Sequence, residues 1–263
     1  MTALPDQLAD TIWRWLSEHG WPLIVGVCGA QGAGKSTLCD AVADRLDANA
    51  IATKVLSIDD LYLAPEDRPV DVHPLFATRG VPGTHDPALG VQIIERMEGD
   101  QPISWPCFDK ATDRPYPEDQ RQHTEFPFDV LLLEGWCVGA VPQAEADLIA
   151  PVNPLERDED PDGVWRRYVN AQLAGPYAAL FAKLDRLILL AAPGFEVVQG
   201  WRTQQEHDLR RKLALEGRTG GMSDTEVARF IQHYERLTRY ILTEMPTRAD
   251  LTIRLDAERR VID

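Results

Sequence analysis

The stretch "GAQGAGKST", residues 29–37, carries the most specific chemistry in the chain. It fits G-x-x-x-x-G-K-[ST], with Gly29, Gly34, Lys35 and Ser36 at the fixed positions. Glycines at this spacing let backbone N–H groups curl round a phosphate without Cβ clashes. The helix expected to follow aims the positive end of its dipole at the anion. Lys35 then reaches the outer phosphates, and the Ser36 hydroxyl is a ligand for Mg²⁺. The expected nucleotide cradle is Gly29, Ala30, Gln31, Gly32, Ala33, Gly34, Lys35, Ser36 and Thr37. A glycine-rich strand-to-helix turn is the plainer alternative.

Two further acidic elements could work on a bound phosphate. "VLLLEG" ends in Glu134 at the carboxyl end of an apolar run, where a metal or its waters need a carboxylate; a capping or ion-paired glutamate is the alternative. "SIDDLYL", residues 57–63, sets two aspartates at the end of another apolar run. An aspartate there can accept a hydroxyl proton during attack on a γ-phosphorus. Asp59 is the expected base, and Asp60 is a turn cap or an indirect contact to the metal. Tyr62 touches substrate or packs at the base of the loop.

A GTPase reads guanine with Asn-Lys-x-Asp. The three asparagines, Asn49, Asn153 and Asn170, do not precede lysine, which argues against that class.

The elements that must hold these groups alternate. "PLIVGVCG" (22–29), "KVLSID" (54–59), "FDVLLLEGW" (128–136), "DRLILLAA" (185–192) and "DLTIRLD" (250–256) read as strands. Helices are expected at the start of the chain, over 36–48 and over 87–99. "SDTE" (223–226) is a capping box opening a last helix with an apolar stripe of Val227, Phe230, Ile231, Tyr234, Leu237 and Ile241. Strands alternating with helices predict a three-layer α/β fold with a mostly parallel sheet. Residues 60–86 and 100–127 read as ordered loops, and "PVNPLERDEDPDG" (151–163) as an exposed acidic connection.

A net charge of −15 without a basic block argues against nucleic acid as a partner. No apolar run reaches the roughly 18–20 residues of a membrane span, and the first residues lack a secretory pattern. The four cysteines, Cys28, Cys39, Cys107 and Cys137, form no CxxC pair and read as small buried hydrophobes in a reducing cytosol. His19 and His233 read as surface residues. Nothing in the sequence specifies an oligomeric state.

With these segments the chain resembles the phosphoribulokinase, uridine kinase and pantothenate kinase group of P-loop kinases. Within it, the plant and fungal D-glycerate 3-kinase family is most similar. The matching stretches are "FATRGVPGTHD" (76–86), "PCFDKA" (106–111), "LEGW" (133–136), "QGWRTQQE" (199–206, with an inserted glycine) and "GMSDTEV" (221–227). "ATDRPYPED" after Lys110 and the segment 151–163 depart from the family pattern.

The resemblance implies one P-loop kinase domain with an N-terminal helix (1–20), acceptor-site insertions (60–127) and a helical lid (194–220). It implies ATP and Mg²⁺ as cofactors, Asp59 as base, Ser36 and Glu134 at the metal, and Arg202 neutralising the moving phosphoryl group beside Lys35. Arg202 and Arg210, about 80° apart round a helix, can share a face; a solvated face paired with Glu206 and Asp208 is the alternative. The acceptor implied is a small hydroxy acid, D-glycerate first. Arg79 and Lys110 would hold its carboxylate, with Asp86 and Asp109 accepting from its hydroxyls and His85 in the same substrate-binding loop. A loop held by its own Arg–Asp pair is the other reading of Arg79 and Asp86. A kinase for a nucleoside or a pantothenate-like acid, and a nucleotide-binding regulator without an acceptor, are the competing functions.

Overall fold

The computed structural model describes residues 3–124 and 127–262, so residues 1–2 of the N-terminal segment, 125–126 of the insertion and 263 lie outside the described residues. The chain opens with α1 (Leu4–His19), β1 (Leu23–Gly29), α2 (Lys35–Ala48) and β2 (Thr53–Ser57), and continues with α3 (Pro87–Glu98). The insertion holds β3 (Ile103–Trp105), β4 (Phe108–Asp109), β5 (Arg114–Pro115) and β6 (Gln122–Thr124). Then come β7 (Val130–Gly135), α4 (Pro154–Glu159), α5 (Val164–Ala174), α6 (Pro176–Phe181) and β8 (Arg186–Ala191). The chain ends with α7 (Phe195–Leu215), α8 (Asp224–Glu244), β9 (Leu251–Leu255) and β10 (Val261–Ile262).

The central sheet has the order β10-β9-β8-β1-β7-β2, parallel except for the β10 edge. Every residue of β1 and β7 is buried. Burial on both faces requires covering layers on both sides, which is why these two strands read as unbroken apolar runs rather than alternating ones. Their register aligns Val27 with Glu134, and Glu134 with Ser57 on β2. The carboxyl ends of three adjacent strands therefore bring the phosphate loop, Glu134 and the "DD" pair to one edge. Ligands bind at this kind of edge in open α/β sheets. Among the described residues no helix is long and apolar enough to cross a membrane.

Helix α8 starts with the expected capping box, Ser223 and Glu226 bonding reciprocally. Other expectations need correction. The strand expected over 54–59 stops at Ser57, and Ile58–Leu61 turn into a 3₁₀ helix because Ser57 Oγ caps Asp59 N–H. The loop 100–127 carries two small antiparallel pairs, β3–β6 and β4–β5. The sheet gains the hairpin strand β10 beyond the expected last strand.

The acidic segment 151–163 is not an exposed connection throughout. Glu156 and Asp160 are fully buried. Arg236 donates to both Glu156 oxygens (2.7 and 2.6 Å), and Arg166 Nη1 donates to Asp160 Oδ2 (2.9 Å). Burial of charge in this way demands paired, hydrogen-bonded partners. His233 is buried too, its ring against Trp165 (5.8 Å) and tilted towards Phe230 (6.4 Å). Cys107 is exposed, unlike Cys28, Cys39 and Cys137.

Candidate active site

The phosphate loop follows β1 directly. Gly34 sits at φ +88°, a left-handed conformation that suits glycine, and α2 begins at Lys35. Lys35 Nζ folds back to donate to Ala30 O (3.3 Å). Ser36 Oγ donates to Glu134 Oε1 (2.9 Å), and Glu134 is buried. A hydroxyl and a carboxylate side by side at the loop are hard oxygen donors. They fit Mg²⁺, which takes one or two protein oxygens and fills its remaining positions with phosphate and water.

The turn after β2 sets up the second group of side chains. Tyr62 O–H donates to Asp59 Oδ1 (2.8 Å), and Lys110 Nζ donates to Oδ2 (2.6 Å). Burial works to raise the Asp59 pKa, but the Lys110 charge, its hydrogen bond and the Tyr62 hydroxyl outweigh it. The carboxyl titrates below its ordinary value. Asp60 behaves oppositely. Burial pushes it up to about 6, aided by the Asp59 and Glu134 charges, while its Oδ1 accepts from Phe108 N–H (3.3 Å). Neighbouring aspartates thus divide into one kept ionised by Lys110 and one fixing β4.

The loop 79–86 docks against this turn. Leu63 N–H donates to Thr84 O, and Asp86 N–H to Leu61 O. His85 stacks on Tyr62 at 4.5 Å, and its Nδ1 lies 2.6 Å from the Tyr177 hydroxyl. The Tyr177 hydroxyl also accepts from Gly83 N–H (3.1 Å). The Nε2 atom of His85 is buried and has no hydrogen-bond partner among the described residues. Burial depresses the ring to a pKa of about 4 against the pull of Asp59, so it is neutral at pH 7.

Arg79 lies over the rings of Phe108 (5.4 Å) and Tyr62 (5.8 Å). Its Nη1 donates to Asp113 Oδ1 (2.5 Å). Asp113 also takes two bonds from buried Arg68 (2.9 and 2.7 Å). The backbone of this loop is braced by Tyr234 O–H to Arg79 O (3.0 Å) and Trp136 Nε1–H to Gly80 O (2.7 Å).

The expected acceptor residues therefore divide. Asp59, Tyr62, His85, Arg79 and Lys110 form one connected group. The carboxylate of Asp86 caps α3 by accepting from Leu89 N–H (3.1 Å). That of Asp109 closes its own turn on Ala111 N–H (2.9 Å) and Thr112 Oγ1 (2.7 Å). On α7, Arg202 Nη2 lies 2.6 Å from Glu206 Oε2 and its guanidinium lies over Phe230 (5.6 Å). Arg210 pairs with Asp224 (2.7 Å).

Sequence reading missed Asp113, Tyr177 and Tyr234. Asp113 lies within "ATDRPYPED", where the match to the family pattern fails. Tyr234 was legible as core but not as the donor that pins Arg79, since a stripe does not reveal where its hydroxyl ends.

A phosphate loop at the carboxyl edge of a parallel sheet, with an ionised aspartate beside it, defines a P-loop phosphotransferase. The comparisons bear on which one. No family model matches the chain. It is 30% identical over 246 residues, 86% of this chain and 85% of the relative, to an uncharacterized kinase of Schizosaccharomyces pombe, mug58. It is 29% identical over 269 residues to the chloroplastic D-glycerate 3-kinase of Arabidopsis thaliana, covering 92% of this chain but 54% of the plant protein. The fold matches that of D-glycerate 3-kinase from Cryptococcus neoformans var. grubii with a TM-score of 0.83, at 24% identity, over 100% of this chain and 99% of the other. The chain belongs to the P-loop kinases of the uridine kinase and glycerate 3-kinase group.

Proposed function

We propose that this kinase uses ATP and Mg²⁺ to phosphorylate a hydroxyl of a small hydroxy acid, with D-glycerate as the acceptor. The observation that carries the reading is the company of Asp59. One cation, Lys110, touches it; a second, Arg79, lies over its partner Tyr62; and neutral, buried His85 has an unused Nε2 on the same platform. A short acid with adjacent hydroxyls offers a carboxylate to the cations and hydroxyl groups to Asp59 and His85. A nucleoside would call for aromatic faces open for stacking; here Tyr62 and Phe108 are already covered by Arg79. The Arabidopsis and Cryptococcus D-glycerate 3-kinases support the same acceptor by relationship.

Lys110 is 60% exposed at its side chain and reaches Asp59 from a flexible stem. An acceptor carboxylate competes for its ammonium. Withdrawal of Lys110 from Oδ2 restores basicity to Asp59 as the hydroxyl arrives, so the base strengthens only in the presence of acceptor. Gly29–Thr37 cradle the β- and γ-phosphates, with Lys35 on the outer oxygens. Ser36 and Glu134 would hold Mg²⁺, which neutralises developing phosphate charge when bound. Arg202 must leave Glu206 to reach a phosphoryl group, so its part requires lid movement.

The test is ADP release with a panel of D-glycerate, L-glycerate, other short hydroxy acids, uridine and pantothenate. D-glycerate should give the highest kcat/KM, and Asp59→Asn should abolish most of it. Turnover of uridine or pantothenate with none of glycerate would overturn the acceptor while leaving a kinase.

A further inference from the structure

The turn joining β9 to β10 touches none of the acceptor residues, yet it reaches the phosphate loop. Asp256 builds it. Its Oδ1 accepts from the backbone N–H of Glu258 (2.9 Å) and Arg260 (2.8 Å), and Arg259 N–H donates to Asp256 O (3.0 Å). At the tip, Arg259 adopts φ +62°. That conformation is costly for a residue with a Cβ and persists where surrounding contacts hold it.

Those contacts all lead inward. Arg259 Nε donates to Gly32 O in the phosphate loop (2.6 Å). Its Nη1 donates to Gln204 Oε1 (3.0 Å), and its guanidinium lies 5.2 Å from the Trp201 ring centroid. Trp201 answers by donating Nε1–H to Ala257 O (2.7 Å). Gly32 sits at φ +79°, and a Cβ there would stand 2.7 Å from Trp201 Cβ, so loop and helix meet without room for a side chain. One arginine thus joins three segments remote in sequence: the loop at 32, the lid helix at 201 and 204, and the hairpin at 259.

We propose that Arg259 is a positioning residue for the nucleotide, holding the tip of the phosphate loop to the foot of the lid helix α7. This rests on the nucleotide-binding reading of residues 29–37. A phosphate loop binds an anion well only if its N–H groups are already curled. Gly32 has wide backbone freedom, and a charge-assisted bond to its carbonyl removes that freedom before the ligand arrives. Without the bond, the ordering cost falls on nucleotide binding.

The test is titration of MgATP by calorimetry, together with steady-state kinetics, for wild type, Arg259→Ala and Arg259→Lys. Arg259→Ala should weaken ATP about tenfold or more, the scale of a hydrogen bond from a charged donor. The KM for ATP should rise in parallel, with kcat within about twofold and the acceptor KM unchanged. Arg259→Lys, which keeps the charge, should recover part of the loss. Gln204→Ala, which removes only the outer contact, gives a second reading if Arg259→Ala does not fold, and should weaken ATP two- to threefold. An Arg259→Ala protein that melts earlier yet binds ATP as wild type would reduce Arg259 to a structural brace and overturn the proposal. Equal loss in KM for ATP and for acceptor would overturn it as well. Failure of the wild type itself to bind MgATP would instead strike the phosphate-loop reading, and this proposal with it.

Discussion

The Lys110 ammonium stands 2.6 Å from Asp59 Oδ2, while the Tyr62 hydroxyl stands 2.8 Å from Oδ1. Both oxygens of the proposed base are therefore engaged before any acceptor arrives, and a positive charge is what holds its pKa down. Removing that charge should make the base harder to keep ionised.

Lys110→Met should move the acidic limb of the kcat/KM profile to higher pH. The sign follows from the contacts. Lys110 lowers the Asp59 pKa, the ionised form is the one that accepts a proton, and loss of Lys110 lets burial raise the pKa. The variant should also show a raised acceptor KM. A profile for acceptor kcat/KM whose acidic limb stays in place would show that Lys110 does not control the base.

Asp60→Asn should stabilise the protein at neutral pH, while Asp59→Asn should cut kcat by about 10² to 10⁴. The Asp60 carboxyl titrates at about 6 in the fold, above its ordinary 3.8, so the fold favours the protonated form. Stability from this group is present below the unfolded pKa and is lost as pH rises through about 6. Asparagine keeps an oxygen for Phe108 N–H and carries no charge to desolvate. Melting temperatures of wild type and Asp60→Asn should coincide near pH 4 and separate by pH 7, with the variant higher. A variant that melts lower at pH 7 would give Asp60 a role that needs its charge.

These two aspartates also mark how far the sequence could be read. The phosphate loop, the buried runs of β1 and β7 and the capping box of α8 depend on local pattern, and local pattern is what a sequence displays. Asp59 was legible because it follows an apolar run at the edge the phosphate loop shares. The segment 151–163 was not, because its two buried acids, Asp160 and Glu156, are paired with Arg166 and Arg236, the latter 80 residues from Glu156. A string of acids with three prolines has the composition of a solvated loop until such partners are known. His233 lies beside the α8 stripe and not on it, so periodicity placed it outside the core. Asp113 and Arg259 act through long-range contacts, to Arg68 and Arg79 and to Gly32, Trp201 and Gln204, that leave no spacing to find.

Glu156→Ala should cost about 3–5 kcal/mol of stability, because it strands the Arg236 guanidinium with only the Asp147 and Ala150 carbonyls for partners. Replacing both, with Glu156→Leu and Arg236→Met together, should recover much of that loss, since no buried charge remains. Urea unfolding of the three variants measures it. If the double variant is as unstable as the single one, the pair contributes through geometry that apolar packing does not replace.

Arg79→Lys should raise the acceptor KM about tenfold to a hundredfold and leave the KM for ATP nearly unchanged. Arg79 is presented by fixed parts: Tyr234 holds its carbonyl, Phe108 and Tyr62 lie beneath its guanidinium, and Asp113 takes one nitrogen. A planar fork held this way can offer two parallel N–H bonds to a carboxylate, which an ammonium cannot copy. Loss of one charged hydrogen bond corresponds to about 1.5–3 kcal/mol, hence the expected range. Asp113→Asn should act in the same direction and less strongly, because it loosens the same guanidinium without removing it. The phosphate loop is built from other elements, so nucleotide binding should not respond. Initial-rate kinetics with each substrate varied in turn separates the two KM values. A rise in the ATP KM of comparable size would place Arg79 at the nucleotide and remove it from the acceptor pocket.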